Sequence, residues 1–297
     1  AGTGVVGRLF KTRVKQVNAN DLEYYSFVLN RNYIGNHLPL PSKEFFLEKL
    51  NQLQPKKGFI YANYSLKGQG ERRYFSDENA GKIDAIRQQI EAWKKTGEID
   101  MPMYYFLLAS LLESADKVAN TASVYGAFLK DLKKTAQKKL NLEAAKFEIN
   151  DKPHRVFQRD ANQLISEIDG HILYLHPPYH ARQYGANYHL LNTIALYDEF
   201  IPKGKTGLRT YKKSDYCSKP KVAKTFEELI SQARFKYIFL SYNNEGLMPL
   251  QQIREIMQKY GRYDVVSKNY QRFKADSTGN RNHKASSTQE YLHILEK

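Results

Sequence analysis

One stretch constrains this chain more than any other: His171-Ile-Leu-Tyr-Leu-His176-Pro177-Pro178-Tyr179, an apolar strand that runs straight into two prolines. Each proline fixes φ near −65°, and each pushes the residue before it into an extended conformation. The chain therefore leaves the strand along one rigid course, with His176 and Tyr179 held at either end of it. The surrounding pattern says what kind of strand this is. Helix 225–233 is followed by strand Tyr237–Tyr242, helix 249–260 by strand 263–266, and Glu290–Leu295 closes the chain as a last strand. Near the start, strand 14–19 precedes a helix from Leu22 to Asn32, and a short helix over 161–167 leads into the proline strand. Strands alternating with helices predict an α/β fold with a largely parallel, doubly wound, Rossmann-like sheet, which binds ligands at the carboxyl ends of its strands. The proline turn lies at such an end.

A helix-rich stretch interrupts this rhythm. Helix 42–53 is followed by a turn-rich, aromatic and basic segment to Tyr74. Ser76 is the expected N-cap of a helix from Asp77 to Lys95 closed by Gly97, and Pro102 opens another that reaches about Asn120. A further helix is expected over 126–140. The division predicted is a core of residues 1–41 and 123–297 with an inserted helical lobe at 42–122.

The 297 residues, 41% of them hydrophobic, suffice for a full core. The longest apolar run, Met101–Leu112, falls short of the roughly 20 residues that span a bilayer. No charged-then-apolar leader opens the sequence, so the expectation is a cytoplasmic protein without a membrane partner. The single cysteine, Cys217, has no partner for a disulfide and no ligand-spaced neighbours, which fits a reducing compartment and predicts no metal site.

With 46 Lys+Arg against 31 Asp+Glu the formal charge is +15, the balance expected of a protein that meets polyphosphate. From Lys203 to Lys224 there are eight basic residues, among them Lys203, Lys205, Arg209, Lys212 and Lys213, against the single acid Asp215. A second cluster holds Lys268, Arg272, Lys274, Arg281 and Lys284. A third holds Lys56, Lys57, Lys67, Arg72 and Arg73 among Tyr61, Tyr64 and Tyr74. Cations interleaved with aromatic rings suit phosphate contact and base stacking. Solvated loops that touch nothing have the same composition.

At the start, Gly2-Thr3-Gly4-Val5-Val6-Gly7 fits a glycine turn that lets backbone approach a nucleotide before a helix. Asp21 follows 19 residues after Gly2, at the end of the next strand, where a carboxylate accepts hydrogen bonds from both hydroxyls of a ribose. NAD and S-adenosylmethionine both carry that ribose, so the pair alone leaves a dehydrogenase open.

The proline turn resembles the Asp-Pro-Pro-Tyr motif of amino-group methyltransferases acting on DNA bases. Further segments resemble the Dam-like class of adenine-specific DNA methyltransferases, including those of restriction–modification systems. They are Ala1-Gly-Thr-Gly-Val-Val-Gly-Arg-Leu-Phe-Lys11, Asn20-Asp-Leu-Glu-Tyr-Tyr-Ser26, Ser123-Val-Tyr-Gly-Ala-Phe-Leu-Lys130, Arg182-Gln-Tyr-Gly-Ala-Asn-Tyr-His-Leu-Leu191 and Leu240-Ser-Tyr-Asn-Asn-Glu-Gly246. The resemblance implies a methyltransferase sheet with a lobe that reads DNA, S-adenosylmethionine as cofactor, and duplex DNA and a cognate restriction endonuclease as partners. It implies that Gly2 and Gly4 line the cofactor's methionine side, that Asp21 holds the ribose, and that Asp160 touches the adenine. Asp160 also fits the N-cap of the following helix. Residue 176 and the carbonyl of Pro177, held by Pro178, would accept the two hydrogens of the target amine, while Tyr179 stacks on a base flipped out of the duplex. Arg72, Arg73 and Arg209 are candidate base readers because arginine is the commonest bidentate partner of guanine.

Two departures from the pattern stand out. His176 occupies a position where relatives usually carry Asp, sometimes Asn or Ser, and His180 one where they tend to carry Asn. A neutral imidazole accepts one hydrogen bond; imidazolium repels the cation that develops on the attacked amine. The loss at the transition state is on the order of a thousandfold in rate. A catalytically silent DNA-binding protein with the same fold is therefore the main alternative; an RNA or protein methyltransferase would not account for the Pro-Pro-Tyr turn and inserted lobe. The second departure is at the beginning. A glycine turn of this kind ends a central strand, and the family places a cofactor-binding segment ahead of it, so either an upstream stretch exists or the chain is a shortened relic.

Overall fold

The computed structural model describes residues 1–122, 124–271 and 287–297. The chain forms two compact units: Ala1–Gln158 with Gly185–Tyr211, and Arg159–Tyr184 with Lys212–Lys297. Helices and strands both occur in each unit, so the secondary structure is mixed α/β.

The first unit opens with α1 (Val5–Lys11), β1 (Asn18–Asn20) and α2 (Tyr24–Asn30), which continues into a π-helical turn, Arg31–Gly35. Then come α3 (Lys43–Gln52), α4 (Phe59–Tyr64), α5 (Asp77–Thr96), α6 (Met101–Lys117) and β2 (Arg155–Phe157). β1 and β2 pair in parallel, with Ala19 opposite Val156. The core gathers around α6, whose Leu107, Leu108, Leu111 and Leu112 are all buried along with Val28, Ile60, Tyr74, Ile83 and Ile194. A helix buried all round needs no polar face, which explains its apolar sequence.

The helix boundaries follow from local chemistry. The Ser76 hydroxyl accepts the Asn79 amide at 3.2 Å, and Gly97 closes α5 at φ 74°. Asp100 caps α6 by accepting the Met103 amide at 2.9 Å, with Pro102 in the first turn. Ser76→Ala is expected to lower stability by about 1 kcal/mol, read as a shift of the urea midpoint at unchanged slope. The short helix α4 has no counterpart among the helices expected from the sequence. Its N-cap comes from elsewhere in the chain, since buried Asp84 of α5 accepts the amides of Gly58, Ile60 and Tyr61 at 3.0, 2.9 and 2.8 Å.

The helix expected over 126–140 does not form; the chain there makes turns. Part of its backbone is bonded outside the segment. The Tyr125 amide, just before it, donates to Asn187 at 2.7 Å, and those of Leu129 and Lys133 donate to the backbone and side chain of Asn120, both at 3.0 Å. Tertiary partners thus outcompete a helical periodicity.

The second unit begins with α7 (Ala161–Leu164) and β3 (Asp169–Leu175). The short α8 (Tyr184–Asn187) starts at its boundary, and α9 (His189–Leu196) belongs to the first unit. A 3-10 turn at Asp215–Cys217 leads to α10 (Val222–Gln232), β4 (Arg234–Asn243), α11 (Leu250–Gln258), β5 (Arg262–Gln271) and β6 (Ser287–Glu296). The four strands lie in the order β3-β4-β6-β5. β3 and β4 are parallel, whereas β6 runs antiparallel to both its neighbours, so this sheet is mixed. Phe226, Leu229 and Ile230 of α10 and Ile253, Ile256 and Met257 of α11 form one core with Ile238, Leu240, Tyr242 and Leu295 of the sheet. Of the second basic cluster, Arg272, Lys274, Arg281 and Lys284 lie outside the described residues. Among the described residues no helix is long and apolar enough to cross a membrane.

Candidate active site

In the second unit β3 runs from Asp169 to Leu175, and His176 is the first residue past it. Leu175 pairs with Leu240, so the proline turn stands beside the carboxyl end of β4. That neighbour holds it in place. The Tyr179 carbonyl accepts the Leu247 amide at 2.9 Å, and the Tyr179 ring meets Tyr242 of β4 edge-on, 6.4 Å between centroids. Tyr242 in turn demands glycine at 246, where a Cβ would come within 2.1 Å of its ring. The His176 ring lies 6.4 Å from that of Tyr179 at 54°. On the other side, His180 packs against Tyr179 at 5.1 Å and stacks on Tyr184 at 6.0 Å.

His176 is exposed. Its pKa is nevertheless held below the ordinary imidazole value, chiefly because protein displaces water from around the ring, and a hydrogen bond to the Ser241 backbone pulls the other way. The ring is thus neutral at pH 7, and the nitrogen not engaged by the backbone is an acceptor.

In the first unit the glycine turn forms as expected, with Gly2 at φ 58° and Gly4 at φ 76° immediately before α1. Both angles are costly for any residue with a Cβ. Asp21 follows β1. One of its oxygens accepts the Gly2 amide at 2.7 Å and lies 2.8 Å from the Ala1 amino group; the other accepts the Glu23 amide at 3.0 Å. Asp21 therefore ties the turn to the end of the strand. The space where a Gly2 side chain would stand is open, so a ligand has access to this backbone. Glycine turn, carboxylate and open space fit an adenosine-bearing cofactor. Asp160, in the second unit, caps α7 by accepting the Asn162 amide at 2.9 Å, the structural half of its expected role.

Similarity to known proteins covers both the glycine turn and the proline turn. Residues 1–256 match the family model of D12 class N6 adenine-specific DNA methyltransferases. This chain belongs to that family. It is 67% identical to the type II methyltransferase M.NlaIII of Neisseria lactamica, over all of this chain and 89% of that protein. It is 40% identical to M.CviAII of Paramecium bursaria Chlorella virus 1, over 86% of this chain and 77% of the relative. With M.FokI of Planomicrobium okeanokoites it shares 37% identity over its full length but spans only 47% of that longer protein. No solved structure matches the chain. The protein is thus an enzyme of the adenine-specific DNA methyltransferase class; methyltransferases generally draw the methyl group from S-adenosylmethionine.

The basic residues of this methyltransferase differ in how free they are. In the first unit, Arg72 donates to the carbonyls of Gly204 at 3.1 Å and Asn63 at 3.3 Å, and Arg73 to that of Lys130 at 2.6 Å. Arg209 makes a two-pronged bond to Asp198 at 2.9 and 2.8 Å. Lys203 and Lys205, in the first unit, and Lys212 and Lys213, in the second, are exposed without an ion pair among the described residues.

Several supporting residues have no role that the sequence alone assigns. Tyr242, Gly246 and Leu247 brace the proline turn, a role that neither the strand pattern nor the likeness to the family assigns. Ser26 and Asn30 both donate to the Gly2 carbonyl, at 2.6 and 3.0 Å. The Asn30 oxygen sits 2.6 Å from where a Gly4 Cβ would be, so glycine at 4 is fixed by space as well as by φ. Glu23 is buried against Asn192, which holds the Tyr25 amide at 2.9 Å. Long-range partners of this sort leave no periodic signal.

Proposed function

We propose that the protein methylates the exocyclic amine of adenine in duplex DNA with S-adenosylmethionine, at a rate lowered by His176. The observation that carries this reading is the braced turn: Pro177 and Pro178 at the end of β3, with Tyr179 fixed through its carbonyl and its ring. In this reading Tyr179 stacks on the flipped adenine, while the Pro177 carbonyl and the imidazole nitrogen of His176 accept the two amine hydrogens. Gly2, Gly4, Asp21 and Asp160 hold the cofactor, which supplies an electrophilic methyl group. Residues 42–122 serve as the target-recognition lobe, set into a doubly wound core of 1–41 and 123–297, and a restriction endonuclease of matching specificity is the biological partner. The second reading, a silent DNA-binding protein, is favoured by the neutral histidine alone. Tritium transfer from S-adenosylmethionine to mixed-sequence DNA separates them, since the first expects slow but real incorporation and the second none despite retention of DNA.

The basic segment belongs to the same reading. If exposed Lys212 and Lys213 track phosphates, changing both to Gln will weaken binding to all sequences alike. The slope of log affinity against log salt should flatten by roughly 0.9 for each phosphate that is no longer neutralised. Weakening confined to one sequence at unchanged slope would contradict the phosphate role.

A further inference from the structure

The glycine turn of the first unit uses its backbone groups unevenly. The Gly2 amide donates to Asp21 at 2.7 Å and the Gly4 amide to the Ala1 carbonyl at 3.0 Å, whereas the Thr3 amide between them has no acceptor among the described residues. Thr3 is exposed, and the space beside Gly2 is open. The direction of this unused N–H is nevertheless fixed. Its peptide is trans, so the Gly2 carbonyl and the Thr3 amide point to opposite sides of one plane. Two side chains of α2 hold the carbonyl: the Ser26 hydroxyl donates to it at 2.6 Å and the Asn30 side-chain amide at 3.0 Å. The N–H is therefore turned away from α2.

Ser26 and Asn30 stand one turn apart on α2, 0% and 1% exposed. They are also tied to each other, since the Asn30 amide donates to the Ser26 carbonyl at 2.8 Å. That bond decides which way the Asn30 side chain faces. Its two N–H groups serve two carbonyls, and its oxygen is left against Gly4 with no donor. Burying a hydroxyl and an amide costs free energy unless they are bonded, and here one acceptor stays unsatisfied as well. Packing a helix against a turn needs neither group, because apolar side chains of the same size would do it. What the pair adds is two donors on one peptide oxygen. We infer that Ser26 and Asn30 are positioning residues for the methyl donor: by holding the Gly2 carbonyl they aim the Thr3 N–H at the carboxylate of the donor's amino-acid end. A bond from a peptide N–H to a carboxylate is charge-assisted, so its alignment weighs more than that of a neutral one. The inference rests on the proposed reading that the glycine turn and Asp21 hold S-adenosylmethionine.

The test needs neither turnover nor DNA. It compares two ligands that differ in one group, S-adenosylhomocysteine and its decarboxylated analogue S-adenosylthiopropylamine, by calorimetric titration of the full chain, run as displacement where binding is weak. The unaltered protein should favour the ligand that carries the carboxylate by more than about tenfold. In Ser26→Ala, S-adenosylhomocysteine is expected to bind about tenfold more weakly while the analogue moves less than about twofold, so the preference shrinks. Asn30→Ser, which shortens the second donor, should shrink it likewise. Asp21→Ala acts through the ribose that both ligands carry and should weaken both. A preference kept in Ser26→Ala and Asn30→Ser, whether or not overall affinity falls, would overturn the positioning role and leave the cofactor reading standing. So would an unaltered protein that binds the two ligands equally. If the unaltered protein binds neither, the cofactor reading falls with the inference.

Discussion

Replacing His176 by aspartate is expected to raise adenine methylation at least about a hundredfold over the protein as it stands. The turn that presents this position is braced independently of it, through the Tyr179 carbonyl, the Tyr179–Tyr242 contact and the two prolines. The substitution therefore changes the acceptor and little else. A carboxylate beside the amine strengthens its interaction as the methyl group arrives and positive charge builds, whereas a neutral imidazole offers one lone pair and no charge. Single-turnover methylation at saturating DNA is the measurement, with DNA affinity moving little. The pH profile adds a second readout. Because the His176 pKa is held below its ordinary value, its ring is neutral above that point. Activity of the histidine protein is then present at neutral and alkaline pH and lost as pH falls through the depressed pKa, where imidazolium forms. The aspartate variant, ionised throughout, should be flat from about pH 6 to 8.5. Equal rates for the two proteins would establish histidine as a working acceptor.

The second large effect concerns the cofactor. Asp21→Ala should weaken S-adenosylmethionine binding by about 2 to 4 kcal/mol, through two charge-assisted bonds to the ribose and through the loosened Gly2 peptide that Asp21 anchors. Asp21→Asn keeps one oxygen for the turn, so its affinity should fall between the two. Calorimetric titration of all three proteins reads the difference. Affinity unchanged in Asp21→Ala would remove this residue from the site.

What is legible in the sequence is whatever local chemistry dictates. Ser76, Gly97 and Pro102 mark helix ends because capping and φ are decided within a few residues, and the proline turn is legible because two rings leave the backbone one course. The glycine turn is legible for the same reason. The rest depends on partners far along the chain. Helix α4 exists because Asp84 caps it, the 126–140 segment fails to coil because Asn120 and Asn187 claim backbone groups in and beside it, and Tyr242 braces Tyr179 from a distant strand. Hydrophobic periodicity cannot report such pairings, which exist only once the chain is assembled.

The interleaving of the two units bears on how the enzyme is made. The chain leaves the first unit at Gln158, returns at Gly185 and leaves again at Tyr211, so both units are stitched from separate segments. As synthesis proceeds from the N-terminus, the first unit lacks α9, with buried Leu190 and Ile194, until Leu196 has cleared the ribosome, and its last segment until Tyr211 has. β3 waits longer, because its parallel partner β4 begins only at Arg234. During that interval the nascent chain carries an apolar strand with both edges bare, a hazard for pairing with other chains. A reading frame interrupted between 211 and 234 would leave a product whose first unit has all its segments and whose second consists of stranded β3, and such a product is a natural substrate for chaperones and proteases.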